Sequence, residues 1–438
     1  MREKPTHVRH WVLFVVCLVY LITYLDRVNI AVAAPLVMRE FGISKVQLGA
    51  IFAAFSWSYA SFQIPIGMLG DRYGPRKVLA GLVTFWSLMT GATALVWNFV
   101  SLLVVRFLFG IGEAGAFPNA TRAFSTWIPA TERGFAQGIT HAFARFGGAI
   151  TPVIVVAIMT TWGWRPVFYV FALIGLIWAA LWFVWYRDTP AAYRDRWGGV
   201  NEAEIEIITA GKPAKGTAPK LPFMRLLKSK NIWALCVSYF CYCYTVWIYL
   251  TWLPTYLVEG RGFTIVRMGI FASLPLLAGT IGDTLGGWLS DKLWMRTKNG
   301  RFSRRIVAMS GLLVAAAFMI PGAVTSSPYA AVFFLACALF GLEMAVGVYW
   351  AVCLDIGSEY AGTVSGMMNS VGNLGAAISP FLFGIIVQYT GSWVYPFVVA
   401  SGLLVIGAGL WLRINPEISV ADELRLGAER GSVAGVPG

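Results

Sequence analysis

Apolar runs, each closed by a charged or Gly/Pro-rich turn, recur along nearly the whole chain. They predict helices at 11–37, 48–70, 78–97, 99–123, 135–160, 165–187, 231–258, 266–291, 305–324, 329–355, 361–388 and 393–413. Runs of this length match a bilayer, whose ~30 Å hydrocarbon core takes about 20 apolar residues of helix. The twelve runs fall into two sets of six. Residues 188–230, between the sixth and seventh, are polar and carry Lys-Pro and Ala-Pro steps. The pattern therefore divides the chain into a six-helix bundle at 1–187, a linker at 188–230, a second bundle at 231–414 and a polar tail at 415–438.

Composition removes the alternatives to a membrane protein. Of 438 residues, 58% are hydrophobic and 13% charged, against roughly 25% charged in soluble domains. No soluble globule of this size hides so much apolar surface, and neither disorder nor a disulfide scaffold fits. The basic stretch Met1 to His10 before Trp11 has the look of a signal peptide. The apolar run passes Pro35 with no small-residue cleavage site, which predicts an uncleaved first span. The six cysteines lie in apolar segments and read as buried thiols; Cys241 and Cys243 are too close for a zinc pair. No catalytic constellation appears, so an enzyme is not expected, nor a cofactor or metal.

The net charge of +13 raises the question of a nucleic-acid partner. Its placement answers that question. Of the 34 Lys and Arg, 26 lie on the side of the N-terminus, linker and tail, and five (Arg39, Lys45, Arg165, Arg261, Arg267) on the other. By the positive-inside bias both termini and the linker are cytoplasmic, and the protein is expected in the cytoplasmic (inner) membrane of a cell. The charge is topology, not a nucleic-acid surface. Three arginines remain inside spans: Arg27, Arg106 and Arg145.

The two halves repeat. Gly67-Met-Leu-Gly-Asp71-Arg72 returns 220 residues later as Gly287-Trp-Leu-Ser-Asp291-Lys292. Gly134, Gly138, Gly147, Ile150 and Pro152 return at an offset of 228, and Trp164 and Phe168 at 229. Such ordered offsets imply two pseudo-symmetric six-helix bundles in an all-α polytopic membrane protein. That is the arrangement of major facilitator transporters, with a substrate site at the midplane. The stretch Gly67 to Lys77, GMLGDRYGPRK, resembles the loop 2–3 signature of that superfamily, with Pro75 inserted. Its expected role is gating: Asp71 faces a positive helix N-terminus in the other bundle, near Gly362, while Arg72, Arg133 and the repeat copy Asp291 add charge. The other reading is a solvated charged turn. Gly110 to Gly115 matches G-x-G-x-x-G, but no strand precedes it. These glycines are expected to allow close helix packing rather than to bind a nucleotide.

Charges inside spans are costly and are candidates for function. Arg27 and Arg106 are the strongest cations, and Asp26 and Glu113 the strongest acids. A purely structural reading has the acids only neutralise the arginines. Tyr24-Leu-Asp26-Arg27-Val-Asn29 in span 1, Tyr59 in span 2, Arg106 and Glu113 in span 4, and Met368-Asn369-x-x-Gly-Asn373 in span 11 together resemble the anion:cation symporter family. The resemblance covers nearly the whole chain. It implies proton-coupled import of a small organic anion, a sugar acid or other carboxylate, by a monomer. It further implies that Arg27 and Arg106 hold the carboxylate, that Asp26 and Glu113 carry protons, and that Tyr24, Tyr59 and Asn369 or Asn373 contact the substrate. Sugar-acid members of the family usually have Gln in the central part of span 5, where this chain has Ala144 followed by Arg145. The repeat makes Arg145 the counterpart of Asn373, so Arg145 is a candidate for contact with a second acid group or, alternatively, for packing.

His141 reads as a packing residue, with Glu343 and Asp283 as further acids of interest. Two other functions compete: a proton-antiport exporter of acidic compounds, and a membrane sensor signalling through the linker or tail. Neither of those segments has the length or motif of a signalling domain.

Overall fold

The computed structural model describes residues 4–129, 132–209, 226–357 and 361–419. They are helical, with turns between. The helices are α1 (Val8–Phe41), α2 (Lys45–Tyr73), α3 (Pro75–Thr93), α4 (Phe99–Glu113), α5 (Ala116–Trp127), α6 (Arg133–Trp162), α7 (Trp164–Trp185), α8 (Pro190–Trp197) and α9 (Glu202–Thr209). In the second half they are α10 (Lys230–Thr251), α11 (Ile265–Thr297), α12 (Gly300–Val324), α13 (Pro328–Met344), α14 (Val346–Gly357), α15 (Ala361–Thr390) and α16 (Val394–Leu410). Among the described residues nine helical stretches are long and apolar enough to cross a membrane, with α4 and α5 (Phe99–Trp127) and α13 and α14 (Pro328–Gly357) each counted as one stretch, and Val394–Leu410 is a shorter apolar one.

Local chemistry sets the ends. Ser44 and Gln47 form a reciprocal capping box at the start of α2, and Asn98 and Ser101 do the same for α4. Gly42 ends α1 at φ +64°, in the left-handed region that a Cβ disfavours. The water-facing ends run past the apolar runs: α1 reaches Phe41, and α11 continues to Thr297. Backbone hydrogen bonding carries a helix on after the bilayer stops selecting apolar side chains.

Two expected spans are broken. The run at 99–123 splits between Glu113 and Ala116, and the run at 329–355 splits between Met344 and Val346. The breaks stand at matching places in the repeat, each beside an intramembrane acid, Glu113 or Glu343. The run at 231–258 also ends its regular helix early, at Thr251, and continues through the single turns Leu253–Thr255 and Tyr256–Gly260, the second of them π-helical. The polar linker contains α8 and α9. Thr189 caps α8 through its side chain, and Gly198 closes it at φ +70°.

The chain forms two compact units, Met1–Lys215 with Leu250–Ser273, and Gly216–Tyr249 with Leu274–Gly438. In the first, α1 packs on α6 and α7, α2 on α4, and α3 on α4 and α7. The segment Leu250–Ser273 joins this unit through Trp252, edge-on to Phe52 at 6.1 Å, and Glu259, 3.3 Å from Lys45. In the second unit α12 packs on α13 and α16, and α14 on α15. The faces follow a membrane pattern. On α7, Val167, Phe171, Trp178 and Trp182 are buried, while Leu173, Ile177, Leu181 and Val184 form an exposed apolar stripe. Lipid, not water, matches that stripe.

The linker is fastened to the start of α1. Glu204 of α9 is fully buried. Its carboxylate accepts the backbone N–H of Val8 (3.3 Å) and Arg9 (3.1 Å), Nη1 of Arg9 (3.3 Å) and the hydroxyl of Thr6. A helix N-terminus leaves its first N–H groups without intrahelical partners, and here a carboxylate from 195 residues away supplies the cap. Arg9 also reaches Glu132 at 3.3 Å.

Candidate functional site

Close helix packing builds the floor of the site. A Cβ on Gly147 of α6 would stand 2.6 Å from the Leu21 carbonyl oxygen of α1, and one on Gly110 of α4 would stand 2.5 Å from the Phe55 carbonyl oxygen of α2. Glycine at these positions lets α6, with Arg145, close on α1, with Tyr24, Asp26 and Arg27, and lets α4, with Arg106 and Glu113, close on α2, with Phe55 and Tyr59. This agrees with the packing role expected for the Gly110 to Gly115 cluster.

The central contact is an ion pair. Arg27 Nε donates to Glu113 Oε2 at 2.7 Å. Arg27 is 8% exposed and Glu113 is 0% exposed. The Arg27 guanidinium also lies 4.8 Å from the ring centroid of Tyr59, 5.3 Å from Tyr24, 5.5 Å from Phe55 and 5.4 Å from Phe117. A cation enclosed by aromatic faces is stabilised by their quadrupoles and shielded from water. Arg106, also buried, lies 4.5 Å from the Phe109 centroid and 5.2 Å from that of Phe55. Phe55 is therefore shared by both arginines. Asp26 is fully buried, 3.5 Å from Asn29 Nδ2 and within electrostatic reach of Arg106.

Four polar atoms of this group have no hydrogen-bond partner among the described residues: Arg27 Nη2, Arg106 Nε, Asp26 Oδ2 and Glu113 Oε1. Buried polar atoms are normally satisfied. A site holding two donors and two acceptors in that state is suited to take up a polar ligand and protons.

Arg145 is half-buried, and its guanidinium lies 5.9 Å from the Tyr24 centroid. Tyr24 thus stands between Arg27 and Arg145 as a common neighbour. His141, one turn earlier, packs at 5.9 Å against Tyr20 and stacks on Phe117 at 6.4 Å, the packing environment expected of it.

Other expected residues lie elsewhere. Asn369 and Asn373 are half-buried and four residues apart on α15 of the second unit, hence on one helix face. Asp71 and Arg133 occupy helical backbone in α2 and α6, and Gly362 lies in α15; the side chains of Asp71 and Arg133 lie outside the described residues. Arg72 is exposed and rests 5.3 Å from the Tyr73 ring. Asp291 has a definite partner: Arg304 Nη1 donates to its Oδ1 at 2.6 Å, and Arg304 Nε donates to Asp355 Oδ2 at 3.1 Å. Arg304 is 6% exposed. By sequence it falls among the 26 basic residues on the N-terminal side; in the structure it is a buried cation between two carboxylates. In the second unit Tyr242 donates its hydroxyl to Glu343 at 2.9 Å. All six cysteines are free, and Cys337 is half-buried rather than buried. No cluster of His, Cys, Asp and Glu among the described residues is built to hold a metal.

Residues 16–380 match the Major Facilitator Superfamily. The chain belongs to that superfamily. Its relatives include the probable sulfoacetate transporter SauU of Cupriavidus necator, 44% identical over 94% of this chain and 95% of that protein. The hexuronate transporter of Bacillus subtilis is 34% identical over 88% of this chain and 89% of its own length. The probable galactarate/D-glucarate transporter GudP of Escherichia coli is 32% identical over 89% and 90%. These are the anion-transporting relatives that the resemblance to the anion:cation symporter family implied. Among solved structures, a bacterial homologue of the human lysosomal transporter Spinster, inward-facing and unoccupied, has a TM-score of 0.75 at 20% identity, covering 97% of this chain and 99% of that one. That likeness concerns the major facilitator fold. The chain is a multi-pass membrane transporter of this superfamily and not an enzyme.

Proposed function

We propose that this major facilitator protein is a proton-coupled importer of a small organic anion, working as a monomer in the cytoplasmic membrane with both termini inside. The observation that carries the reading is the buried Arg27–Glu113 pair, 2.7 Å apart, with Arg106 and Asp26 beside it. An arginine held by a carboxylate in low dielectric is unavailable to an anion. Protonation of Glu113 and Asp26 removes the competing charges and frees Arg27 and Arg106 to bind a substrate carboxylate through charge-assisted hydrogen bonds. Loss of the substrate on the inner side lets the acids deprotonate and recapture the arginines. Proton and substrate thus use the same two cations in turn, which couples them. Tyr24 and Tyr59, both against Arg27, place aromatic surface and hydroxyls where the substrate's body would lie. Relatives named for sulfoacetate, hexuronate and galactarate/glucarate support an acidic substrate.

The test is uptake into proteoliposomes containing the purified protein, with an inward proton gradient. Organic acids of these classes are expected to accumulate only while the gradient stands. Arg27→Ala is expected to abolish binding of the same compounds in a thermal-shift titration. Accumulation that ignores the gradient would remove the proton-coupled reading, and unchanged affinity in Arg27→Ala would remove the carboxylate clamp.

A further inference from the structure

We propose that the second unit carries a binding site for an anionic phospholipid of the surrounding bilayer, at the turn where α11 leaves the membrane and α12 re-enters it. Residues 291–305 hold six cations, Lys292, Arg296, Lys298, Arg301, Arg304 and Arg305, and one acid, Asp291. That acid is already answered, because Arg304 donates to it at 2.6 Å. Lys292, Arg296, Lys298 and Arg301 form no ion pair among the described residues. Depth places this charge among lipid headgroups. The apolar run of α11 ends at Asp291. At a rise of about 1.5 Å per residue, Lys292 to Arg296 stand about 2–8 Å beyond it, within a headgroup layer roughly 5–8 Å deep on each face.

Apolar surface flanks the cations. Trp288 is 56% exposed, with Lys292 Nζ 4.2 Å from its ring centroid, and Met295 is 67% exposed. An open recess of about 270 Å³ is lined by Asp291, Trp294, Met295 and Lys298. A lipid phosphate matches the cations while its acyl chain covers the exposed indole and thioether; a soluble anion lacks the chain and a neutral lipid lacks the charge. The backbone gives an independent sign. Lys298 stands at φ +53°, and among the described residues it is the one residue other than glycine at positive φ. Its N–H closes α11 on the Trp294 carbonyl at 2.9 Å. After α1 and α8 the left-handed position is filled by Gly42 and Gly198. A Cβ is strained there, and such strain persists where the side chain has a task. The side chain kept at this position is an ammonium lining the recess.

Native mass spectrometry of the purified full chain in a neutral detergent, titrated with phosphatidylglycerol or phosphatidylcholine, tests this. Phosphatidylglycerol is expected to bind about 10- to 100-fold more tightly, at about fivefold for each cation that meets it. Lys292→Gln and Lys298→Gly are each expected to weaken phosphatidylglycerol about fivefold and to leave phosphatidylcholine unchanged. In lipid-free detergent Lys298→Gly is expected to unfold at a higher temperature than the unaltered protein, because the backbone strain leaves with the side chain. Removing two cations in the linker, by Arg196→Gln with Lys228→Gln, is expected to leave phosphatidylglycerol affinity as it was. Equal binding of the two lipids by the unaltered protein overturns the proposal whether or not the variants fold. Undiminished phosphatidylglycerol affinity in Lys298→Gly overturns it too, as does an equal loss in the linker variant, which would make the attraction one of diffuse charge. Displacement of the lipid by glycerol 3-phosphate at matching concentration would make the recess a soluble-anion site and likewise overturn it.

Discussion

At the scale of residues, the decisive contact is one carboxylate on one guanidinium inside the bilayer. Removing either partner leaves the other buried and unpaired, a loss worth roughly 3–5 kcal/mol in proteins. A proton is the mildest way to break such a pair, because it neutralises the acid without deleting a side chain. Glu113→Gln copies that neutral state permanently. It is expected to keep substrate binding and exchange while lowering proton-driven accumulation by about tenfold per pH unit for each proton lost. Accumulation ratios measured at two gradients check this; an undiminished ratio excludes Glu113 as the coupling acid. The residues of the pair were legible in the sequence because charge inside an apolar run is conspicuous. Phe55 and Phe117, which complete the enclosure of Arg27, were not. With 29 phenylalanines in the chain, a single one carries no mark, and only its place four residues before Tyr59, or four after Glu113, hints at a shared face. Arg304 was hidden for the opposite reason: it stands in a basic stretch where every neighbour serves topology.

At the scale of elements, hydropathy located the spans because the bilayer selects apolar side chains over a fixed thickness. It did not reveal where helices continue into water, or where they break. The interruptions after Glu113 and after Met344 fall inside continuous apolar runs, which give a bilayer no reason to distinguish them. Small helices such as α9 escape for a similar reason, being water-phase structure held by specific bonds rather than by hydrophobic length. Helix α6 offers a paired test of packing. A Cβ at Gly147 would meet the α1 backbone at 2.6 Å, whereas one at Gly138 would meet nothing within 4 Å. Gly147→Ala is expected to destabilise by about 1–3 kcal/mol through overpacking. Gly138→Ala is expected to stabilise slightly, by roughly 0.5–1 kcal/mol, through helix propensity. Thermal unfolding of the two variants in detergent gives the comparison, and the same sign in both would contradict it.

At the scale of the whole molecule, internal repetition carried most of the fold. Three ordered offsets between the halves point to the superfamily, and the major facilitator fold agrees. The excess of basic residues on one side predicts that the C-terminus faces the cytoplasm. A fluorescent protein fused there is expected to fold and fluoresce, and alkaline phosphatase fused there to stay inactive; the reverse pattern would invert the topology.

The bond between Glu204 and the start of α1 bears on how the gene for such a protein can be divided. The chain entering the second half is tethered not where the sixth span ends but at α9, which belongs by its contacts to the first half. Co-expressed as fragments cut after Thr209, the amino-terminal piece keeps its own cap and is expected to assemble with its complement into a stable whole. Cut after Gly199, it loses Glu204 to the other piece, and α1 begins with its first N–H groups exposed. The yield of reassembled protein from the two cuts measures what one distant carboxylate contributes to starting a membrane helix.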